Sequence, residues 1–123
     1  MSKQRALEYF LGQKGLKKLN CAQSVVAAFG ELCGLGEETV HHLATFGSGR
    51  APFGECGALY ALTYLFKERG ADSLEKCRKN FADRAGSTKC RQIRTAGRLT
   101  CLGCVEEAAA CVEKNLKDQF QEG

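Results

Sequence analysis

The chain has 123 residues, of which 44% are hydrophobic, a net charge of +4 and eight cysteines. This length fits one domain, and the hydrophobic content supports a core that needs no disulfide cross-links. Uncharged stretches such as residues 56–66 are far shorter than the ~20 residues of a bilayer span, and the N-terminus lacks the apolar region of a secretory signal. The sequence therefore predicts a cytoplasmic protein without a membrane span, in which cysteines stay reduced unless they are catalytic or metal-bound.

The first half of the chain predicts three helices. One proline and the absence of alternating β-branched runs leave little sequence that favours strands. Residues 3–12 form the first helix, which glycines end. Asn20 begins the second, with Gln23 at the spacing of a capping box. Residues 37–45 form a short third helix.

The second half begins with a loop over residues 46–55, which contains three glycines and the proline. Residues 56–69 follow as a helix whose first eleven residues carry no charge, so we expect this helix to be central and buried. Two helices follow, the second starting near Lys89, and Thr100 caps the last one. The sequence therefore predicts an all-α fold, a compact single-domain bundle of six or seven helices over residues 1–123.

Three of the cysteines lie where a predicted helix begins: Cys21, Cys56 and Cys101. A helix N-terminus exposes unpaired N–H groups and the positive end of the helix dipole, which stabilise a thiolate and can lower a cysteine pKa from ~8.5 towards neutrality or below. Cys56 stands out because Gly54 and Gly57 would let a large sulfur-bound group, or a second chain, approach the backbone. The pattern indicates sulfur chemistry. A tight loop-to-helix turn that uses cysteine as a small residue would explain the same local sequence equally well.

The remaining cysteines have plainer interpretations. Cys77, Cys104 and Cys111 lie on predicted core faces, where a cysteine packs as a small hydrophobe, and Cys33 ends the second helix. Cys101 and Cys104 also form a C-x-x-C at a helix start, the arrangement in which redox dithiols work. One such pair is a weak signal among eight cysteines, and the βαβ pattern of thioredoxin-like sites is missing.

Positive charge is concentrated between Lys76 and Arg98, where eight basic residues accompany a single acid, Asp83. A solvated helix face is the simpler interpretation, and a patch that attracts an anionic partner is the sharper one. Because Phe81 is the one aromatic residue among these bases, the sequence argues against nucleic-acid binding.

Several segments, read in order, match a known pattern. They are Asn20-Cys21-Ala22-Gln23-Ser24-Val25, Phe46-Gly47-Ser48-Gly49, Gly54-Glu55-Cys56-Gly57-Ala58, Cys90-Arg91 and Cys101-Leu102-Gly103-Cys104-Val105. On these residues the chain resembles the bacterial and archaeal C_GCAxxG_C_C family, described as redox-active proteins, from about Tyr9 to Leu116. The four motif cysteines of the family fall on Cys21, Cys56, Cys90 and Cys101.

Two positions depart from the family pattern. Ala61 replaces a glycine, and Cys104 occupies a position where a bulky apolar residue is usual, so the C-x-x-C is particular to this chain. The resemblance implies redox or metal chemistry, and it suggests a transporter component as a partner because many members lie beside transporter genes.

We expect the four helix starts of the motif cysteines to converge on one electropositive pocket that suits several thiolates. Without a positive field or a metal, thiolates so close together would repel one another, so these cysteines would stay protonated. The candidates for holding a cofactor or ligand beside them are Gly47, Gly49, Arg50, Gly54 and Gly57.

Three functions fit the sequence, in this order. The first is a thiol oxidoreductase or electron carrier that acts on a redox partner protein; Cys56 attacks as a low-pKa thiol, and Cys101 or Cys90 resolves. The second is a metal site in which Cys21, Cys56, Cys90 and Cys101 bind zinc or an iron–sulfur cluster. The third is a non-catalytic helical accessory module for a transporter or redox partner, with the cysteines as packing residues.

Overall fold

The computed structural model describes residues 3–30, 34–46, 50–66 and 71–121. Within these residues the chain forms seven α-helices and no strand: α1 (Lys3–Leu11), α2 (Cys21–Phe29), α3 (Glu37–His42), α4 (Gly57–Leu65), α5 (Ala71–Ala85), α6 (Cys90–Ala96) and α7 (Cys101–Gln121). Short 3₁₀ turns lie at Leu43–Thr45 and Pro52–Gly54. The prediction of an all-α fold with six or seven helices is confirmed.

Local capping signals determine where two of these helices begin. The Asn20 side chain accepts a hydrogen bond from the Gln23 N–H at 2.8 Å, and the Gln23 side chain accepts one from the Asn20 N–H at 3.1 Å, which completes the predicted capping box of α2. At the start of α7, the Thr100 hydroxyl accepts from the Gly103 N–H at 3.0 Å. These caps fix the positions of the first residues of α2 and α7, which are both cysteines.

Helix α4 lies at the centre of the bundle, as its uncharged sequence predicts. It packs most extensively against α2 and also against α5 and α7. Its inward residues are at most 2% exposed: Ala58, Leu59, Ala61, Leu62 and Leu65. The helix ends at Leu65, and residues 67–69, which the sequence assigns to its last turn, lie outside the described part of the chain.

The length and apolarity of the helices can be compared with what a membrane span requires. Helix α4, the most apolar, has nine residues, and α7 has 21 but carries several charges. None of the described helices combines the length and the apolarity that crossing a bilayer requires.

A disulfide joins α5 to α7 through Cys77 and Cys111, whose Cα atoms are 5.8 Å apart. The prediction that these two cysteines pack merely as small hydrophobes is wrong, because the inner faces of the two helices meet at this point within disulfide range. Asn115 Nδ2 lies 3.5 Å and 3.6 Å from the two sulfurs and donates to the Cys111 carbonyl at 2.8 Å. Cys33 lies outside the described residues.

Candidate functional site: a cavity lined by cysteines

Five cysteines line one cavity of about 210 Å³: Cys21, Cys56, Cys90, Cys101 and Cys104. None of them is part of a disulfide. Four are the motif cysteines, which are far apart in the sequence. The structure therefore brings together the four residues that the sequence singles out, and it adds Cys104.

Each motif cysteine lies at a helix start. Cys21, Cys90 and Cys101 are the first residues of α2, α6 and α7, and Cys56 is the residue that precedes α4. The positive ends of four helix dipoles therefore surround the sulfurs. This is the convergence that the sequence predicts.

A short antiparallel bridge sets Cys56 beside Cys90. Glu55 pairs with Lys89, and the Cys56 N–H donates to the Thr88 carbonyl at 2.8 Å. The buried Glu55 carboxylate also forms an ion pair with Arg78 of α5. Because each bridge residue directly precedes a motif cysteine, the bridge positions both sulfurs at the same cavity.

Gly57 lets the start of α4 approach α2 closely. A Cβ atom at this position would lie 2.6 Å from Cys21 Sγ and 2.8 Å from the Phe46 carbonyl oxygen, so no other residue fits without a displacement. Gly57, the residue after Cys56, therefore leaves the space that the Cys21 sulfur occupies.

The other ligand-binding candidates lie elsewhere. Arg50 is exposed and does not line the cavity, and Gly54 lies in a surface groove outside it. Gly47 and Gly49 lie outside the described residues. A ligand-binding role for this set stays a prediction, and among its described members Gly57 alone lines the cavity.

Cys56 and Cys104 form the buried part of the sulfur cluster, each 4% exposed. A hydrogen bond with the Cys104 thiol, burial, and repulsion from a Cys104 thiolate all raise the pKa of Cys56, against a smaller opposite effect of the Leu59 and Ala58 N–H groups. These surroundings therefore oppose the lowering of the Cys56 pKa that its helix-start position predicts. Sequence reasoning set Cys104 aside, although its C-x-x-C spacing was a signal.

Arg94 brings positive charge to the exposed side of the cavity. Its Nη2 lies 4.0 Å from the sulfur of Cys101, which is the exposed cysteine of the five. Hydrogen bonding to Cys101 and the negative charge of the Cys90 and Cys101 thiolates raise the pKa of Arg94. Burial raises the pKa of Cys90, and Arg94 opposes that effect. Sequence reasoning placed Arg94 in a basic stretch but did not assign it to the site.

The rest of the cavity wall is largely apolar. Phe10, Leu19, Ile93 and Leu99 line it, and Lys18 contributes a second cation. The pocket is thus positive at Lys18 and Arg94, polar at Asn20 and largely apolar elsewhere. Apolar surroundings favour the neutral thiol, so a thiolate is best stabilised beside a cation.

The arrangement of the sulfurs also tests the metal hypothesis. Among the described residues, no group of three or more His, Cys, Asp or Glu side chains is arranged so that it could hold a metal ion. Ligand sulfurs would have to lie ~2.3 Å from a zinc ion. The four motif cysteines share one cavity, and zinc or iron–sulfur binding by them stays a prediction.

Comparison with known protein families agrees with the site. A family model described as "Putative redox-active protein (C_GCAxxG_C_C)" matches residues 19–115, which include every cysteine of the cavity. Neither the curated proteins nor the solved structures yield a match to this chain. Because the matched segment covers most of the sequence, this chain belongs to the C_GCAxxG_C_C family.

Proposed function

We propose that this protein transfers electrons by thiol–disulfide exchange between its cysteine cavity and a partner. One observation carries the proposal: the four motif cysteines, from four helix starts, line a single cavity and none is in a disulfide. Exchange requires sulfurs that can reach one another, together with one that a partner can reach. The shared cavity supports the first condition, and the exposure of Cys101 supports the second.

Cys101 is the sulfur best placed to meet the partner. It is exposed, it begins α7, and the Arg94 guanidinium lies 4.0 Å away. The positive end of the α7 dipole and the Arg94 guanidinium therefore both lie beside this sulfur. The Cys101 thiolate attacks one sulfur of the partner's disulfide and forms a mixed disulfide. The partner's other sulfur leaves as a thiolate and takes up a proton.

Cys104 and Cys56 complete the exchange. Cys104, one helical turn further along α7, attacks the Cys101 sulfur and releases the partner's second thiolate. Cys56, whose thiol is hydrogen-bonded to Cys104, then attacks the Cys104 sulfur and restores the Cys101 thiolate. Two electrons pass from the Cys56 and Cys104 thiols to the partner's disulfide, and their two protons end on the partner's sulfurs. The reverse sequence oxidises a partner dithiol.

This proposal reassigns the attacking role from Cys56 to Cys101, because the Cys56 thiol is buried and its pKa is raised. It also gives Cys104 a role that the family pattern does not contain, so the last step is this chain's own version. The catalytic roles predicted for Cys21 and Cys90 stay predictions.

Disulfide mapping after mild oxidation tests the proposal. Reduced protein treated with a neutral disulfide should form a Cys56–Cys104 bridge and keep an alkylatable Cys101. In Cys104→Ser, the mixed disulfide on Cys101 should accumulate because the resolving sulfur is gone. The matched control, Cys77→Ser with Cys111→Ser, lies outside the cavity and should react as the parent does. The absence of any bridge among the five cavity cysteines would contradict the proposal.

The other two functions predict different results. Stoichiometric zinc or iron in protein purified without air, and its loss in Cys21→Ser, would favour the metal site. If Cys56→Ser folds as the parent does, and neither protein exchanges disulfides or holds metal, the accessory module would be favoured.

A further inference from the structure

A surface groove of about 640 Å³ adjoins the cysteine cavity. One side is formed by Phe53 and Gly54 and the other by Lys89 and α6; we call it the α6 groove. Cys90 and Arg94 line both the groove and the cavity. Whatever occupies the groove therefore lies directly beside the reactive sulfurs.

The charge of the α6 groove is uniformly positive. Lys89, Arg91 and Arg94 line it, and no acidic residue does. None of the ion pairs between described residues involves these three cations. Instead, Arg94 faces the Cys101 sulfur and Lys89 donates to the Phe53 carbonyl. The groove is therefore complementary to carboxylates.

Phe53 adds a large apolar group to this charged surface. Its side chain is 90% exposed, and its backbone is left-handed, with φ at 62°. This conformation is a costly one for an aromatic residue. The Lys89 ammonium lies over the ring, 5.5 Å from its centroid. An exposed aromatic ring held among cations is typical of a contact with another protein rather than with a small anion.

We infer that the α6 groove docks an acidic segment of the partner protein and thereby presents the partner's disulfide to Cys101. Carboxylates of the segment pair with Lys89 and Arg91, and an apolar side chain of the segment packs on Phe53. The purpose of this docking rests on the proposed function, but the docking itself needs no sulfur chemistry. The two ideas can therefore fail separately.

Fluorescence anisotropy with a labelled, cysteine-free peptide of alternating glutamate and leucine tests the docking. The reduced protein should bind this peptide, and high salt should weaken the binding. A matched peptide with glutamine in place of glutamate should bind at least about tenfold more weakly than the acidic peptide. Lys89→Gln with Arg91→Gln should weaken binding of the acidic peptide about tenfold, and so should Phe53→Ala. The matched control, Lys76→Gln with Lys79→Gln on α5, removes the same charge from an exposed face outside the groove and should bind as the parent does.

Exchange assays keep the two ideas apart. The Arg91→Gln protein, whose substituted residue lines the groove but not the cavity, should react with a neutral small disulfide as fast as the parent does, and more slowly with a disulfide-bearing version of the acidic peptide. Equal binding of the glutamate and glutamine peptides would overturn the docking inference even if exchange occurs. Tighter binding of oligothymidylate than of the acidic peptide would also overturn it, because the occupant would then be a nucleic acid. Peptide binding without exchange would overturn the proposed function and leave the docking standing.

Discussion

The individual cysteines of the cavity differ in chemistry although they share helix-start positions. Cys56 faces a second buried thiol, which outweighs the nearby N–H groups and raises its pKa. Cys101 faces a guanidinium and solvent. Desolvation and charged neighbours shift thiol equilibria as strongly as a helix dipole does. The neighbours in space therefore set the chemical environment of each sulfur, in addition to its position at a helix start.

The close packing at Gly57 predicts that a single added methyl group destabilises the protein. In Gly57→Ala, the new Cβ would lie 2.6 Å from Cys21 Sγ and 2.8 Å from the Phe46 oxygen, so α2 and α4 must separate or the sulfur must move. We expect a loss of about 1–3 kcal/mol in the free energy of unfolding, as for other overpacked cores. Urea denaturation under reducing conditions measures it, and faster alkylation of Cys21 would report the displaced sulfur.

Gly103→Ala is the matched control for this prediction. Gly103 lies in the first turn of α7 between two cavity cysteines, and a Cβ there would meet its nearest atoms at 3.4 Å, an ordinary contact. Because alanine favours a helix over glycine, we expect unchanged stability or a gain of up to about 1 kcal/mol. If both variants were as stable as the parent, the close approach at Gly57 would be contradicted.

At the scale of elements, the features that sequence could predict are local ones. Asn20 and Thr100 cap α2 and α7 through residues only three positions away, so these helix starts are readable from short segments. The bridge between Glu55 and Lys89 was missed because a single pair lacks the alternating pattern of strands. The Cys77–Cys111 bond was missed because it depends on how α5 and α7 are aligned, which no local signal encodes.

This disulfide should contribute strongly to the stability of the α5–α7 contact. It closes a loop with a sequence separation of 34, for which the chain-entropy model gives about 3–4 kcal/mol. We expect Cys77→Ala with Cys111→Ala to lower the free energy of unfolding by about this amount under non-reducing conditions. Urea denaturation measures the loss.

Reductant provides the internal control. Adding it should lower the urea midpoint of the parent towards that of the double variant, whose own midpoint should change little. A parent midpoint that does not respond to reductant would show that the bond contributes nothing to stability.

At the scale of the whole molecule, the buried thiols couple stability to pH. Folding raises the pKa of Cys56 and of Cys90, so the folded chain retains protons that the unfolded chain releases above its ordinary cysteine pKa of ~8.5. The unfolded state then binds fewer protons, and the free energy of unfolding falls as pH rises. Below about pH 7.5 these thiols are protonated in both the folded and the unfolded state, so they cause no change of stability with pH there.

We therefore expect reduced protein to lose stability between about pH 8.5 and 9.5, with Cys56 alone contributing a slope of up to about 1.4 kcal/mol per pH unit. The range stops there because Tyr64, whose pKa is raised to about 12, adds a loss of the same sign at higher pH. Urea denaturation at a series of pH values without air measures the slope, and Cys56→Ala should flatten it. Protein oxidised to the proposed Cys56–Cys104 bridge should also show a flatter slope, because sulfurs in a disulfide do not titrate. An equally steep slope in the parent, the alanine variant and the oxidised protein would mean that Cys56 ionises as readily in the folded chain as in the unfolded one.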